Sequence, residues 1–373
     1  MVTLLKMPGS CKQLWQIRRA MQVALKCRNC NEKYADSEIR WRCACGGLLD
    51  IETDQKFSQN QIITNEPNLW RYKKFLPTKS GSPVSFGEGW TPIIKDDKNL
   101  QFKLDYLMPS GSFKDRGASV LVSKMQELKI TQAVEDSSGN AGKAIASYCA
   151  RAGIDCRIIV PKSTSQKKMK LIRETGARID NSSVNRSAAA EKALQLADEI
   201  YYASHSWNPY FLQGTKTIIY EIFEQMKQMP ERIIVPVGNG TLLLGIYLGL
   251  ENLINVDLLD AVPEIIGVQS SQCAPLVDAF EQGKQTLTDR QWQDSIANGI
   301  SVSQPIRAAQ ILEFTDRFKS HLIAISDEKI QKAYYELHEK GYLIETTAAT
   351  AYAAYQEYFN DKVSSLIILT GRE

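Results

Sequence analysis

Residues 232–254, RIIVPVGNGTLLLGIYLGLENLI, decide the fold. Arg232–Val237 is a near-continuous apolar run of strand length. Gly238-Asn239-Gly240-Thr241 is a tight turn, and 241–254 repeats its apolar residues at helical spacing. A strand apolar on both faces, feeding a helix through a glycine turn, is the building unit of a helix-covered parallel sheet. The same alternation recurs along the chain. Strand-like runs are Gln101–Leu104, Ala133–Asp136, Cys156–Val160, Ile200–Ala203, Ile265–Gln269 and Leu366–Leu369. Helical patterns occupy 114–129, 141–152, 165–175, 185–198, 210–228, 327–340 and 346–359, with Gly153, Gly176 and Gly341 where helix C-caps belong. The reading is an α/β protein with parallel or mixed sheets covered by helices on both faces.

Composition narrows the class. The 373 residues are 43% hydrophobic and 23% charged, a globular balance with room for two to three domains. Lys+Arg 45 against Asp+Glu 42 leaves a net charge of +3, which nominates neither nucleic acid nor an anionic membrane as partner. No apolar run reaches the roughly 18–20 residues of a membrane-spanning helix. Eight cysteines are too sparse for a disulfide scaffold, and four crowd into 27–45, as suits a soluble protein of the reducing cytoplasm. The first 31 residues carry six basic side chains and no acid, but one Ser and one Thr, poor for a transit peptide. Residues 1–26 therefore read as a disordered extension, or as an upstream start ahead of Met21.

In such sheets ligands sit at the carboxyl ends of strands, where glycine turns meet helix N-termini. Three turns have that character: Ser110-Gly-Ser-Phe113-Lys114, Ser137-Ser138-Gly139-Asn140-Ala141-Gly142, and Gly238-Asn239-Gly240-Thr241. The last is neither G-x-G-x-x-G nor a P-loop, and alone it could be a plain strand-to-helix turn. Gly139–Lys143 is too short for a Walker loop, and His338-Glu339 lacks the second His of a zinc-protease motif. A single Lys114 is most often a solvated charge. Set among small residues beside Asp115-Arg116, it could instead serve as a covalent amine, its pKa lowered by desolvation or cationic neighbours. Pyridoxal phosphate would bring both the carbonyl for that amine and a phosphate for a glycine turn. Cys27-x2-Cys30-x12-Cys43-x-Cys45-Gly-Gly can offer four thiolates to a structural zinc, with a packed thiol cluster as the alternative.

Read together, SGSFKDRG at 110–117, SSGNAG at 137–142 and VPVGNGT at 235–241 resemble the fold-type II pyridoxal-phosphate enzymes, the tryptophan synthase β superfamily. With the cysteine unit and EGWTP at 88–92, the chain is similar to the ribbon-bearing members of the threonine synthase branch, from about Cys27 to the C-terminus. The resemblance implies that Lys114 carries the cofactor, with Phe113 beside it, and that Asn140 meets its phenolic oxygen. Gly238, Asn239, Gly240 and Thr241 would cradle its phosphate, and Thr370 would face its pyridine nitrogen. Ser137, Ser138, Gly139 and Ala141 would receive the substrate carboxylate, with Ser206 and Asn208 as phosphate or hydroxyl contacts. Two positions depart from the threonine synthases: Ala141 stands where many have Thr, and Phe211 where they have a phosphate-binding Arg.

The architecture expected is a two-domain fold-type II enzyme with a zinc-ribbon-like segment. Residues 27–52 form the ribbon, 53–110 with 206–373 the larger cofactor domain, and 111–205 a smaller α/β domain. The expected partner is a small phosphorylated amino acid, and the resemblance implies a homodimer. The activity implied is conversion of O-phosphohomoserine and water to threonine and phosphate. Alternatives are β-replacement on phosphoserine, deamination of serine or threonine, and, in another class, a silent regulatory or RNA-binding protein.

Overall fold

The computed structural model describes residues 23–79, 81–359 and 362–372. Most of the expected extension lies outside these residues. Val23–Lys26, also assigned to it, instead begin the first strand, because Val23, Ala24 and Leu25 are buried and Ala24, Leu25 and Lys26 pair on both sides.

Among the described residues the strands form three sheets. Antiparallel β1 (Val23–Cys27), β2 (Lys33–Ala35) and β3 (Leu49–Thr53) make the cysteine-rich unit. A six-stranded sheet holds β4 (Ile93–Lys95), β5 (Leu100–Lys103), β10 (Arg232–Pro236), β11 (Glu264–Ser270), β12 (His321–Ile325) and β13 (Ser365–Ile368), in the order β12-β11-β10-β13-β5-β4. Only the edge strand β4 runs antiparallel. A four-stranded parallel sheet, ordered β8-β7-β6-β9, contains β6 (Gln132–Glu135), β7 (Asp155–Pro161), β8 (Arg178–Ser183) and β9 (Tyr201–Tyr202).

The helices are α1 (Lys114–Glu127), α2 (Asn140–Ala152), α3 (Gln166–Arg173), α4 (Arg186–Leu196), α5 (Pro209–Thr215) and α6 (Thr217–Gln225). After β10 come α7 (Thr241–Ile254), α8 (Pro275–Glu281), α9 (Ala308–Arg317), α10 (Asp327–Glu339) and α11 (Thr346–Tyr358). The apolar run that opened the reading is explained by two-sided burial. Ile233 and Val235 pack with α7 and α9 on one face of the sheet, and Ile234 packs with α10 and α11 on the other. The smaller sheet shares its core with α1, α2 and the cysteine-rich unit, whose Leu25, Trp41 and Leu49 join it.

One expected helix, 210–228, is two. Helices α5 and α6 meet at Lys216 because α5 crosses α1 at closest approach. A Cβ on Gly214 would collide with the Arg116 carbonyl, and one on Gly117 with the Phe211 ring. The polar edge strand β8, the short strands of the cysteine-rich unit, β4, β12, α8 and α9 went unread in the sequence.

Helix α1 is pinned by a buried ion cluster. The Arg116 guanidinium donates to Asp105 (2.8 Å from both Nε and Nη2), to Glu221 (2.5 and 2.8 Å) and to Thr217 (3.2 Å). The Lys103 amine donates to Glu221 at 2.8 Å, and all four ionic side chains are fully buried. Burial pushes the Glu221 carboxyl up, but Arg116 and Lys103 outweigh it and hold it at about 2. Two cations and two anions thus close a neutral set. Removing one member leaves a buried charge uncompensated. Glu221→Gln is expected to lose about 3–5 kcal/mol of stability in denaturant unfolding. A loss within about 0.5 kcal/mol, the size of an ordinary surface substitution, would contradict the cluster's role.

Candidate active site

The carboxyl ends of β5, β6, β9, β10 and β13 supply the site. The turn before α1 is tied to the segment after β13: Phe113 N–H donates to the Thr370 carbonyl (2.9 Å), Arg372 N–H to Gly111 (2.9 Å), and Ser112 bridges Gly371. Gly111 takes φ +88°, which lets the chain double back. Asp115, in the first turn of α1, accepts from Ser110 N–H (2.7 Å) and from its hydroxyl. Lys114 leaves this turn half-buried, with its Nζ 3.8 Å from the centre of the Phe113 ring. Desolvation lowers its amine to about 8, with Glu345 and Glu135 pulling the other way. The expected pair Phe113 and Lys114 therefore stands beside Thr370. The Thr370 hydroxyl is buried without a hydrogen-bond partner.

The second turn closes tightly. A Cβ on Gly142 would strike the Ser137 carbonyl, and Gly139 N–H donates to Ser137 Oγ (3.2 Å). Ser137, Ser138, Gly139 and Asn140 are half-buried at the start of α2, while the Ala141 methyl points into the interior. Helix N-termini leave their first N–H groups free to meet an anion. Asn140 Nδ2 lies 3.1 Å from both carboxylate oxygens of Glu345, which stands just ahead of α11.

Gly240 adopts φ +73°, and its missing Cβ makes way for Ile311 of α9; a Cβ on Gly238 would lie 2.8 Å from the Gly299 carbonyl. The first helical bond of α7 in this turn runs from Leu244 N–H to the Gly240 carbonyl. The N–H groups ahead of it lack partners in the helix ladder. Asn239 is half-buried, and Thr241 is buried at the helix start.

Three groups went unforeseen. His205 Nδ1 sits 2.7 Å from Glu135 Oε1, and its Nε2 sits 3.2 Å from Asn239 Nδ2, so a buried pair links the end of β6 to the glycine turn after β10. Burial disfavours charge on both partners. It raises the Glu135 carboxyl to about 8 and lowers the His205 imidazole to about 3, both shifts favouring the uncharged form. Glu345 is the third, its carboxyl also raised by burial. The acids Glu135-Asp136 closing an otherwise apolar strand were the one local signal available. Ser206 Oγ lies 3.2 Å from Ser204 Oγ. Asn208 is committed elsewhere. Its amide caps α5 by accepting from Tyr210 N–H (3.1 Å) and donates to the Tyr201 hydroxyl (2.7 Å).

The residues brought together fit pyridoxal phosphate: a desolvated amine for its carbonyl, partnerless N–H groups at a helix start for its phosphate, and an orphaned buried hydroxyl on Thr370. At the other end of the chain Cys27, Cys30, Cys43 and Cys45 bring their sulfurs within 4.8 Å of one another, with Cys27–Cys45 and Cys30–Cys43 at 3.6 Å. Tetrahedral zinc with bonds of about 2.3 Å asks for sulfurs about 3.8 Å apart, so the four fit a closed zinc site. A Cβ on Gly47 would crowd Cys27 Sγ at 2.9 Å.

A family of pyridoxal-phosphate dependent enzymes matches residues 84–371. The threonine synthase of Methanocaldococcus jannaschii is 31% identical over 356 residues, covering 91% of this chain and 88% of its own. That of Methanosarcina acetivorans is 32% identical over 345 residues, covering 88% and 85%. Among solved structures, threonine synthase from Escherichia coli superposes with a TM-score of 0.76 at 20% identity, covering 94% of this chain and 88% of its own. A fungal L-serine ammonia-lyase from Rhizomucor miehei gives 0.68 at 24%, covering 76% and 93%, which speaks to the fold alone. With the matched region spanning all three glycine turns and Thr370, the chain belongs to the pyridoxal-phosphate dependent enzyme family.

Proposed function

We propose that the protein is a lyase of the threonine synthase type, acting on a small phosphorylated amino acid and, in the reading we favour, converting O-phosphohomoserine and water to threonine and phosphate. The observation that carries this is the desolvated Lys114 amine together with two glycine turns that open helices α2 and α7, in a chain about a third identical to two threonine synthases over most of its length. Lys114, Asn140, Gly238–Thr241 and Thr370 would hold pyridoxal phosphate, which when bound would supply the electron sink that makes an amino acid's Cα proton acidic.

The chain's own groups do the rest. An amine near 8 is neutral in part at physiological pH, so Lys114 Nζ takes the proton from Cα. Backbone N–H groups from Ser138 to Ala141 hold the substrate carboxylate at the start of α2 and so orient Cα toward Lys114. The unpartnered Thr370 hydroxyl would meet the ring nitrogen as a neutral group and leave it largely unprotonated, a moderate sink suited to elimination and replacement. Protein packed around Lys114, Glu135 and Glu345 keeps bulk water away from the reacting carbon. The four thiols hold a structural zinc, and such a cluster suits the reducing cytoplasm.

Phe211 favours a second substrate. Its ring lies fully buried over Gly117 and 5.9 Å from the His205 ring, at the position where threonine synthases place a guanidinium. This supports replacement at Cβ of phosphoserine, whose shorter side chain places its phosphate elsewhere. Purified protein is expected to release phosphate from O-phosphohomoserine with threonine appearing in equal amount. Release from O-phosphoserine alone, enhanced by sulfite, would transfer the assignment to the second reading. Zinc analysis of the purified chain is expected to give about one ion per chain, lost in Cys43→Ser; a metal-free wild-type chain would contradict the zinc assignment.

A further inference from the structure

Arg307 lies outside every motif described so far, yet it is fully buried and all five of its N–H donors meet an oxygen. Nε donates to the Ser206 carbonyl (2.8 Å), and Nη2 donates to the Trp207 carbonyl (2.7 Å) and the Leu49 carbonyl (3.0 Å). Nη1 donates to Asp50 Oδ1 (3.1 Å) and to Gln310 Oε1 (2.7 Å). Three segments distant in sequence therefore converge on one side chain: β3 of the cysteine-rich unit, the loop after β9, and the start of α9.

Two of these segments support the turn at 238–241. The loop after β9 carries His205, whose Nε2 meets the Asn239 amide. Helix α9 carries Ile311, which fills the space that the absent Cβ of Gly240 leaves. Ile311 N–H in turn donates to the Arg307 carbonyl (2.9 Å). The third segment is the fixed point. Asp50 also accepts from Arg28 Nη1 (2.5 Å), and Arg28 follows Cys27 directly, with its own N–H on the Leu48 carbonyl (2.9 Å). Trp41 of the same unit packs edge-on against Tyr202 of β9 (5.0 Å) and against Trp207 (5.4 Å). The cysteine-rich unit is thus joined to the loop by apolar packing, to both supports of the turn by the Arg307 guanidinium, and to α9 again by Arg28–Glu313 and Gln310–Asp50.

We propose that Arg307 is the positioning residue of the turn Gly238–Thr241, with the cysteine-rich unit as its anchor, so that this unit sets how tightly the cofactor's 5′-phosphate is held. Lysine cannot replace it: three donors on a point charge cannot serve oxygens arranged around a planar fork. The inference rests on the cofactor reading above and adds to it a role for residues 27–52.

The test compares two ligands on the full-length chain freed of cofactor: pyridoxal 5′-phosphate and pyridoxal, each titrated by its visible band. Arg307→Lys is expected to lower the preference for the phosphorylated form by about tenfold, the weight of one lost charge-assisted bond. Asp50→Asn is expected to lower it by about three- to tenfold, and the double variant by no more than Arg307→Lys alone, because the two act along one chain of contacts. General loosening would weaken both ligands in parallel and leave the ratio unchanged; that result overturns the proposal. Where Arg307→Lys does not fold, Asp50→Asn decides alone, since it keeps the guanidinium and its carbonyl partners. A wild-type chain that forms a band with neither compound would sink the cofactor reading and this inference with it. A wild-type chain that binds, with variants of unchanged ratio, overturns the inference only.

Discussion

Taking the Lys114 amine out of water is the constraint on which the site depends. An ammonium near its ordinary pKa of 10.5 is almost wholly protonated at neutral pH and unreactive toward a carbonyl. Burial disfavours that charge and brings the amine to about 8, within the range where a neutral fraction is always present. The neighbouring acids Glu135 and Glu345 pull the other way without outweighing burial. The same burial raises their carboxyl groups, so the site tends toward neutrality as a whole.

Keeping the amine in that place requires rigidity behind it. Two residues after Lys114, Arg116 closes a neutral, fully buried set with Asp105, Glu221 and Lys103. Each of those partners sits on a different element: Lys103 ends β5, Asp105 follows it, and Glu221 lies on α6. Helix α1 is therefore held to the larger sheet by charge and to α5 by the close approach of Gly117 and Gly214. On the far side of the site Arg307 fastens the supports of the glycine turn. One guanidinium thus fixes the helix that carries the amine, and the other joins the segments that pack on the glycine turn.

Much of this was legible in the sequence where the signal is local. The apolar runs of β5, β6, β7, β10, β11 and β13 declare themselves because central strands of these sheets are buried on both faces. Lys114, the glycine turns and Thr370 are readable because each lies in a short motif. Strand β8 is polar at every position but Ile179 and sits at a sheet edge, so no apolar pattern marks it. The division of 210–228 into two helices depends on where Gly214 meets the Arg116 backbone, and the sequence of α5 alone does not disclose that. The Glu135–His205 pair spans 70 positions, the Asn140–Glu345 contact 205, and Arg307–Leu49 258. No window along one chain reveals partners so far apart. The position of Asn208 adds a second lesson: a polar residue in a promising motif also serves as a helix cap.

The most direct measurement is reductive trapping across pH. The protein is mixed with pyridoxal 5′-phosphate at a series of pH values, reduced with borohydride, and digested for peptide mass spectrometry. The account predicts a single pyridoxyl-modified residue, Lys114, with a yield that rises through a midpoint near 8. Labelling spread over other lysines, or a Lys114 yield that rises only toward 10.5, would contradict it.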